Sequence, residues 1–139
     1  MKKLHTVLLI DDDEISNSLN QLTLEELEIA EEIKVFSEGE QALEYLKSQS
    51  EQLQAAQLLI VDINMPTMDG EEFMLLFNDL AFPNKNKIKT VIYSAHLSGK
   101  KYEDLKNLGV NDFIEKPLTS EKMNQLLERM GFCVDSIKE

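Results

Sequence analysis

The chain has a single cysteine, few cations and no long apolar run. One cysteine, Cys133, leaves no partner for an internal disulfide, so a reducing cytoplasm is the expected home. A bilayer span needs roughly 20 consecutive apolar residues, and nothing here approaches that. The apolar stretch after the basic Met1-Lys2-Lys3 is only Val7 to Ile10, too short for a signal peptide. Lys and Arg number 14 against 26 Asp and Glu, a formal net charge of −12. Gripping a phosphate backbone or an anionic membrane takes clustered cations, so direct nucleic-acid binding and membrane association are not expected.

What is present fits one globular domain. At 139 residues the chain can bury roughly two-thirds of its unfolded surface. Apolar residues are 42% and charged residues 29%, which argues against wholesale disorder. The expected organisation is a single domain over 1–139, with a core over residues 4–130 and a short tail over 131–139. The charge is lopsided: residues 1–72 carry 17 acids and 4 bases, whereas residues 73–139 carry 9 acids and 10 bases. The two halves therefore present different electrostatic surfaces.

Strand and helix patterns alternate. Val7-Leu8-Leu9-Ile10 and Leu58-Leu59-Ile60-Val61 are continuous apolar runs, and Thr90-Val91-Ile92-Tyr93 nearly so. Such runs suit parallel strands covered on both faces. Ile33 to Phe36 and Asp112 to Glu115 carry charge, as edge strands do. Between them, Ile15, Leu19 and Leu22 recur at the spacing of one helix face. So do the sets Ala42, Leu43 and Leu46; Phe73, Phe77 and Leu80; Tyr102, Leu105 and Leu108; and Met123, Leu126, Leu127 and Met130. Thr119 or Ser120 caps the last helix, and Gly109 and Gly131 stand where helices stop. Glu25 to Glu32 reads as an acidic helix end, Gln49 to Gln57 as a polar connection, and Pro83 to Lys87 as a basic loop.

Alternating elements imply a parallel sheet with right-handed crossovers. With three buried and two edge strands, the expected fold is α/β: five parallel strands in doubly wound order 2-1-3-4-5, with five helices. Ligands in such sheets bind beyond the carboxyl ends of the strands, at the switch point between strands 1 and 3. Those ends carry Asp11-Asp12-Asp13, Asp62, Ser94 and Lys116. Converging carboxylates repel, so they need a cation. A hard divalent ion completed by waters and a phosphate is the usual solution. A lysine and a hydroxyl opposite it suit the remaining phosphoryl oxygens. The constellation reads as a place where a carboxylate accepts a phosphoryl group.

Four segments carry a family resemblance: Val7 to Asp13, Leu59 to Gly70, Val91 to Ala95, and Gly109 to Pro117. In order and content they resemble the receiver domain of bacterial two-component response regulators, over roughly residues 4–130. The resemblance implies the flavodoxin-like receiver fold and a role for each matching position. Asp62 matches the phosphoacceptor, Asp12 a direct ligand of Mg²⁺ (or Mn²⁺), and Asp11 the acid that holds the metal's water. Asn64 matches the position whose main-chain carbonyl ligates the metal. Ser94 matches the switch hydroxyl, Lys116 the lysine that contacts the phosphoryl group, and Phe113 the aromatic switch residue, often tyrosine. Pro117 matches a proline whose preceding bond is commonly cis.

The implied function is a phosphorylation-dependent switch. It would be charged by a sensor histidine kinase or a histidine phosphotransfer protein and would signal to a downstream protein target. The near-neutral second half holds helix 4, strand 5 and helix 5, the surface the family commonly uses for partners. After Met130 nine residues remain, too few for an output domain, so only self-directed phosphotransfer and autodephosphorylation are expected rather than enzyme turnover. Two other readings compete: a phosphorylation-independent binding module, and a metal-dependent phosphoryl-transfer enzyme. Aspartyl phosphatases want a second acid two residues after the nucleophile, where this chain has Asn64. Asp13 alone reads as a helix cap. His5 is near the terminus, and His96 falls at the pocket rim, where water access and a plain surface role are both open.

Overall fold

The structure is a computed structural model that describes residues 4–49, 57–65, 67–81, 85–95 and 99–131. Strands and helices alternate: β1 (Leu4–Ile10), α1 (Glu14–Leu27), β2 (Ala30–Phe36), α2 (Gly39–Ser48), β3 (Gln57–Asp62), α3 (Gly70–Asp79), β4 (Ile88–Ser94), α4 (Gly99–Asn107), β5 (Asp112–Glu115) and α5 (Ser120–Arg129). A 3₁₀ turn, Lys85–Lys87, leads into β4. The five strands form one parallel sheet in the order β2-β1-β3-β4-β5. This is the expected topology, and it puts the two charge-bearing strands at the edges.

Alternation along each central strand splits the core in two. Leu8, Ile10, Leu59, Val61 and Ile92 pack against α2, α3 and α4 through Leu46, Phe73 and Leu105. Val7, Leu9, Leu58, Ile60, Val91 and Tyr93 face the other way, against Leu24, Leu27, Met123, Leu126 and Leu127 of α1 and α5. A fully buried Leu or Ile contributes roughly 1.5–3 kcal/mol, so the two layers together fix the sheet's position between the helices. Among the described residues no helix is long and apolar enough to cross a membrane.

Local signals behave as the sequence predicts at several ends. Asp13, Asp69 and Thr119 cap α1, α3 and α5 by accepting backbone N–H bonds. Gly109 and Gly131 take positive φ after α4 and α5.

Three details depart from the sequence reading. Gln57 is the first residue of β3 and not part of the connection; residues 50–56 of that connection lie outside the described residues. The acidic stretch from Glu25 does not stay helical: α1 ends at Leu27, and Glu31 and Glu32 belong to β2. The third concerns which face of α1 is buried. Ile15, Leu19 and Leu22 are 72%, 60% and 56% exposed. The helix instead buries Asn17, Asn20, Leu24 and Leu27. It is locked in that rotation because Asn17 Nδ2 donates to the Asp11 carbonyl at 2.7 Å and Asn20 Nδ2 to the Tyr93 hydroxyl at 3.3 Å.

The turn from α1 to β2 generates a prediction. Glu28 has φ 52 and ψ 39, left-handed values that crowd the Cβ of a non-glycine residue, while its N–H donates to the Glu25 carbonyl. Glycine removes that strain and takes a charge out of an acidic surface. Glu28→Gly should raise stability by about 0.5–1 kcal/mol in urea denaturation. A lower midpoint would mean that the Glu28 side chain makes contacts worth more than the backbone strain.

Candidate active site

The sheet brings the expected residues to one end. Asp11 follows β1, Asp62 ends β3, Ser94 ends β4, and Lys116 follows β5. Asp11 and Asp62 are both buried, whereas Asp12 is exposed at the rim. One carboxylate oxygen from each of Asp11, Asp12 and Asp62 lies within 4.8 Å of the others. Lys116 Nζ stands 3.2 Å from Asp62 Oδ1, with about a third of its side chain open to solvent. Beside Asp12, a cleft of about 430 Å³ opens between Gly39, Met65, Met68 and Glu72.

Backbone geometry holds each group in place. Asp11 Oδ1 accepts the Asp13 N–H at 3.0 Å, which folds the acidic loop back on itself. Past β3, the Asn64 N–H donates to Asp62 Oδ1 at 3.2 Å, and the Asn64 side chain is exposed. The loop then closes through Gly70, whose N–H bonds the Ile63 carbonyl at 3.0 Å. A Cβ on Gly70 would come within 2.9 Å of Ile63 Cα, so only glycine lets α3 start this close to the strand end.

On the far side, the Lys116 N–H donates to the Ser94 carbonyl at 2.8 Å. The Lys116–Pro117 bond is cis, as the resemblance implied. Lys122, in the first turn of α5, donates from Nζ to the carbonyls of Glu115 and Pro117 and ties down the loop that carries Lys116. Ser94 is buried at the strand end. Phe113 lies half-buried on β5, its ring centroid 4.5 Å from that of Tyr102 on α4. His96 and Pro66 lie outside the described residues. Asp13 has no place in the cluster: it caps α1, and bonds from the Ser16 hydroxyl and the Ile15 N–H hold its carboxyl below the usual range.

The electrostatics follow from this crowding. Burial, reinforced by the neighbouring Asp62, pushes the Asp11 carboxyl up to about 6 against the Asp13 N–H that would lower it. Burial also works to lower Lys116, but Asp62 and Asp11 outweigh it and hold the ammonium above its ordinary value. Asp11 Oδ2 is buried without a hydrogen-bond partner. Three hard oxygen donors, one of them orphaned, with one ammonium opposite suit a small divalent cation.

Asn17, Asn20 and Tyr93 line this end of the sheet and were missed in the sequence. The signal was weak but present: Leu24 and Leu27 set a helix phase that passes through Asn20 and Asn17. The apolar Ile15–Leu19–Leu22 stripe outcompeted it.

A doubly wound sheet with crowded acids at its switch point and a lysine facing them defines a class of α/β domain that gathers charge above its strand ends. A family model for the response regulator receiver domain matches residues 7–128, and the chain belongs to that family. A probable chemotaxis protein CheY of Rhizobium etli is 31% identical over 122 residues, 88% of each chain. The signal transduction histidine-protein kinase BarA of Escherichia coli K12 is 28% identical over 124 residues, 89% of this chain. This chain spans only 12% of the length of BarA. A two-component response regulator from Cytophaga hutchinsonii superposes with a TM-score of 0.80 at 31% identity, covering 92% of this chain and 97% of that one.

The raised Asp11 carboxyl predicts an inverted pH dependence in EDTA. Its folded pKa of about 6 lies above the ordinary aspartate value of about 3.9. The folded state therefore binds the proton more tightly than the unfolded chain, and ionisation costs stability at neutral pH. That cost, on the order of 2–3 kcal/mol at pH 7, should shrink as pH falls through 6 toward 4. About 1 kcal/mol should be regained by pH 5. Asp11→Asn keeps the acceptor for the Asp13 N–H and puts a donor beside Asp62. It should therefore be more stable than wild type in EDTA at pH 7 and lose most of this pH dependence. Urea titrations at pH 7, 6 and 5 check it; an asparagine variant less stable than wild type throughout would show that Asp11 is not under electrostatic strain.

Proposed function

We propose that this chain is a phosphorylation-controlled switch in which Asp62 accepts a phosphoryl group from a phosphohistidine donor, a sensor kinase or a phosphotransfer protein. The observation that carries this reading is the setting of Asp62. It is a carboxylate 3% exposed, paired with Lys116 Nζ at 3.2 Å and gathered with two further acids at the mouth of a parallel sheet. A purely structural aspartate would not need two further acids beside it.

The chemistry follows from those groups. An Asp62 oxygen attacks phosphorus, and the bond to the donor's imidazole nitrogen breaks. Its electron pair stays on that nitrogen, leaving an acyl phosphate on Asp62. Mg²⁺ or Mn²⁺ held by Asp11, Asp12 and Asp62, with the Asn64 carbonyl, would supply positive charge between the incoming phosphoryl oxygens and the carboxylates. Lys116 neutralises an oxygen that the acids leave exposed. Ser94 is drawn to the new group, and Phe113 with Tyr102 repacks on α4 and β5. That carries the change to the surface formed by α4, β5 and α5. Hydrolysis of the acyl phosphate resets the switch.

The donor must lie across the pocket mouth. There the outer face of α1 presents Ile15, Leu19 and Leu22 to solvent directly after the acidic loop. Glu14, Glu25 and Glu26 share the helix, and no base occupies its last turn. An apolar helical surface with a cationic rim complements it, so we assign this face to the protein donor.

Three results are expected. Acetyl phosphate with a divalent cation should add one phosphoryl group to wild type, read by mass spectrometry, and none to Asp62→Asn; EDTA should prevent labelling. Equal labelling of both proteins would place the acceptor elsewhere. Ser94→Ala should still be labelled, but its amide NMR shifts between residues 102 and 113 should largely vanish on phosphorylation. Leu19→Glu should be labelled by acetyl phosphate like wild type, while transfer from a phosphorylated histidine kinase that serves wild type falls at least tenfold. Unchanged transfer would move the donor off α1.

A further inference from the structure

Asp62 ends β3 and Lys116 follows β5, strands that are not neighbours. In the order β3-β4-β5, the lysine must reach across β4 to pair with Asp62. Neighbouring strands lie about 4.8 Å apart, so the span is about 10 Å. The β4 residue in register with Asp62 is Tyr93, and Tyr93 is in turn in register with Ile114, two residues before Lys116. Register partners share a face of the sheet. The Tyr93 ring therefore lies under the path that the lysine has to take.

The contacts agree with that placement. Lys116 Nζ sits 5.0 Å from the Tyr93 ring centroid while it holds Asp62 Oδ1 at 3.2 Å. The ring is 4% exposed, packed into the layer against α1 and α5. Its far end is fixed by Asn20 of α1, which donates to the hydroxyl at 3.3 Å. An aromatic face attracts an ammonium and gives its methylenes an apolar bed, most effectively where water is scarce. An aliphatic residue here would leave the charge over a surface with no attraction for it. The ammonium would then gain by swinging toward solvent, to which about a third of the side chain is already open.

We propose that Tyr93 is a positioning residue that acts through Lys116. The aromatic ring carries the ammonium over β4, so that the lysine is aimed at Asp62 before the phosphoryl group arrives. This rests on the reading of Asp62 as the acceptor. The same contacts tie α1, on whose outer face the donor is placed, to the cation that meets the phosphoryl oxygens.

The test follows initial rates of labelling by acetyl phosphate at fixed Mg²⁺, together with the Lys116 Hε resonances. In wild type those protons should resonate upfield of free lysine because they lie over a ring; Tyr93→Phe should retain the shift, and Tyr93→Leu should lose it. Tyr93→Phe should label within twofold of wild type, whereas Tyr93→Leu should be at least fivefold slower, with Mn²⁺ affinity within twofold. Lys116→Ala should be slow as well, and Lys116→Ala with Tyr93→Leu no slower than Lys116→Ala alone, because the ring acts through the lysine. A general packing defect would instead slow the double variant further. Labelling of Tyr93→Leu at the wild-type rate, a further loss in the double variant, or absence of the upfield shift would each overturn the proposal. Should Tyr93→Leu not fold, Tyr93→Met takes its place, and the wild-type shift decides the contact without any variant. If wild type itself were not labelled, the reading of Asp62 would fail, while the Lys116 resonances would still decide whether the ring carries the lysine.

Discussion

The constraint on which the rest of this structure depends is the position of Asp62: a carboxylate almost out of water, with Asp11 buried beside it and Asp12 at the rim. Burying one charge is costly, and burying like charges together more so. The single compensating cation in contact with Asp62 among the described residues is Lys116, delivered from two strands away. Much of the local architecture serves that delivery. The Lys116 N–H is pinned to Ser94, Lys122 fastens the loop from α5, and Tyr93 lies beneath the reaching side chain. Gly70 keeps the opposite loop tight against the end of β3.

Compensation is incomplete, and the incompleteness is informative. Lys116 faces Asp62, while Asp11 keeps an orphaned oxygen and a raised pKa. The sheet carries a buried apolar layer on each face, so it can hold a strained polar cluster at one end without coming apart. On the proposed function, a site left electrostatically unsatisfied until a cation and a phosphoryl group arrive would change state sharply when they do, which is the property a switch requires.

Helix α1 shows how the same constraint reaches the surface. Its inward face is polar where it meets the site, through Asn17 on the Asp11 carbonyl and Asn20 on Tyr93, and apolar only in its second half. Its outward face keeps Ile15, Leu19 and Leu22 in water among acidic residues. A helix that keeps leucines in water and asparagines in the core is locally inconsistent, and such inconsistency marks function more often than stability. Here it gives one element two tasks: holding the polar floor of the site, and offering a surface beside its mouth.

The sheet order, all ten main elements and the gathering of Asp11, Asp12, Asp62, Ser94 and Lys116 at one end were legible in the sequence. The physical reason is that strands buried on both faces must be continuously apolar, and a doubly wound sheet exposes only its strand ends. Val7 to Ile10 and Leu58 to Val61 could be little else, and the polar residues that follow them had to meet. What the chain by itself could not decide was the rotation of α1. Two stripes were available, Ile15–Leu19–Leu22 and Asn17–Asn20–Leu24–Leu27, and hydrophobicity alone favours the first. The second won because hydrogen bonds to the Asp11 carbonyl and the Tyr93 hydroxyl exist only once β1, β3 and β4 are assembled into one sheet and α1 packs across it. Tyr93 was likewise readable as a strand residue and no more. Its place beneath Lys116 depends on the lysine side chain crossing β4 to reach Asp62, a tertiary contact that no local pattern contains.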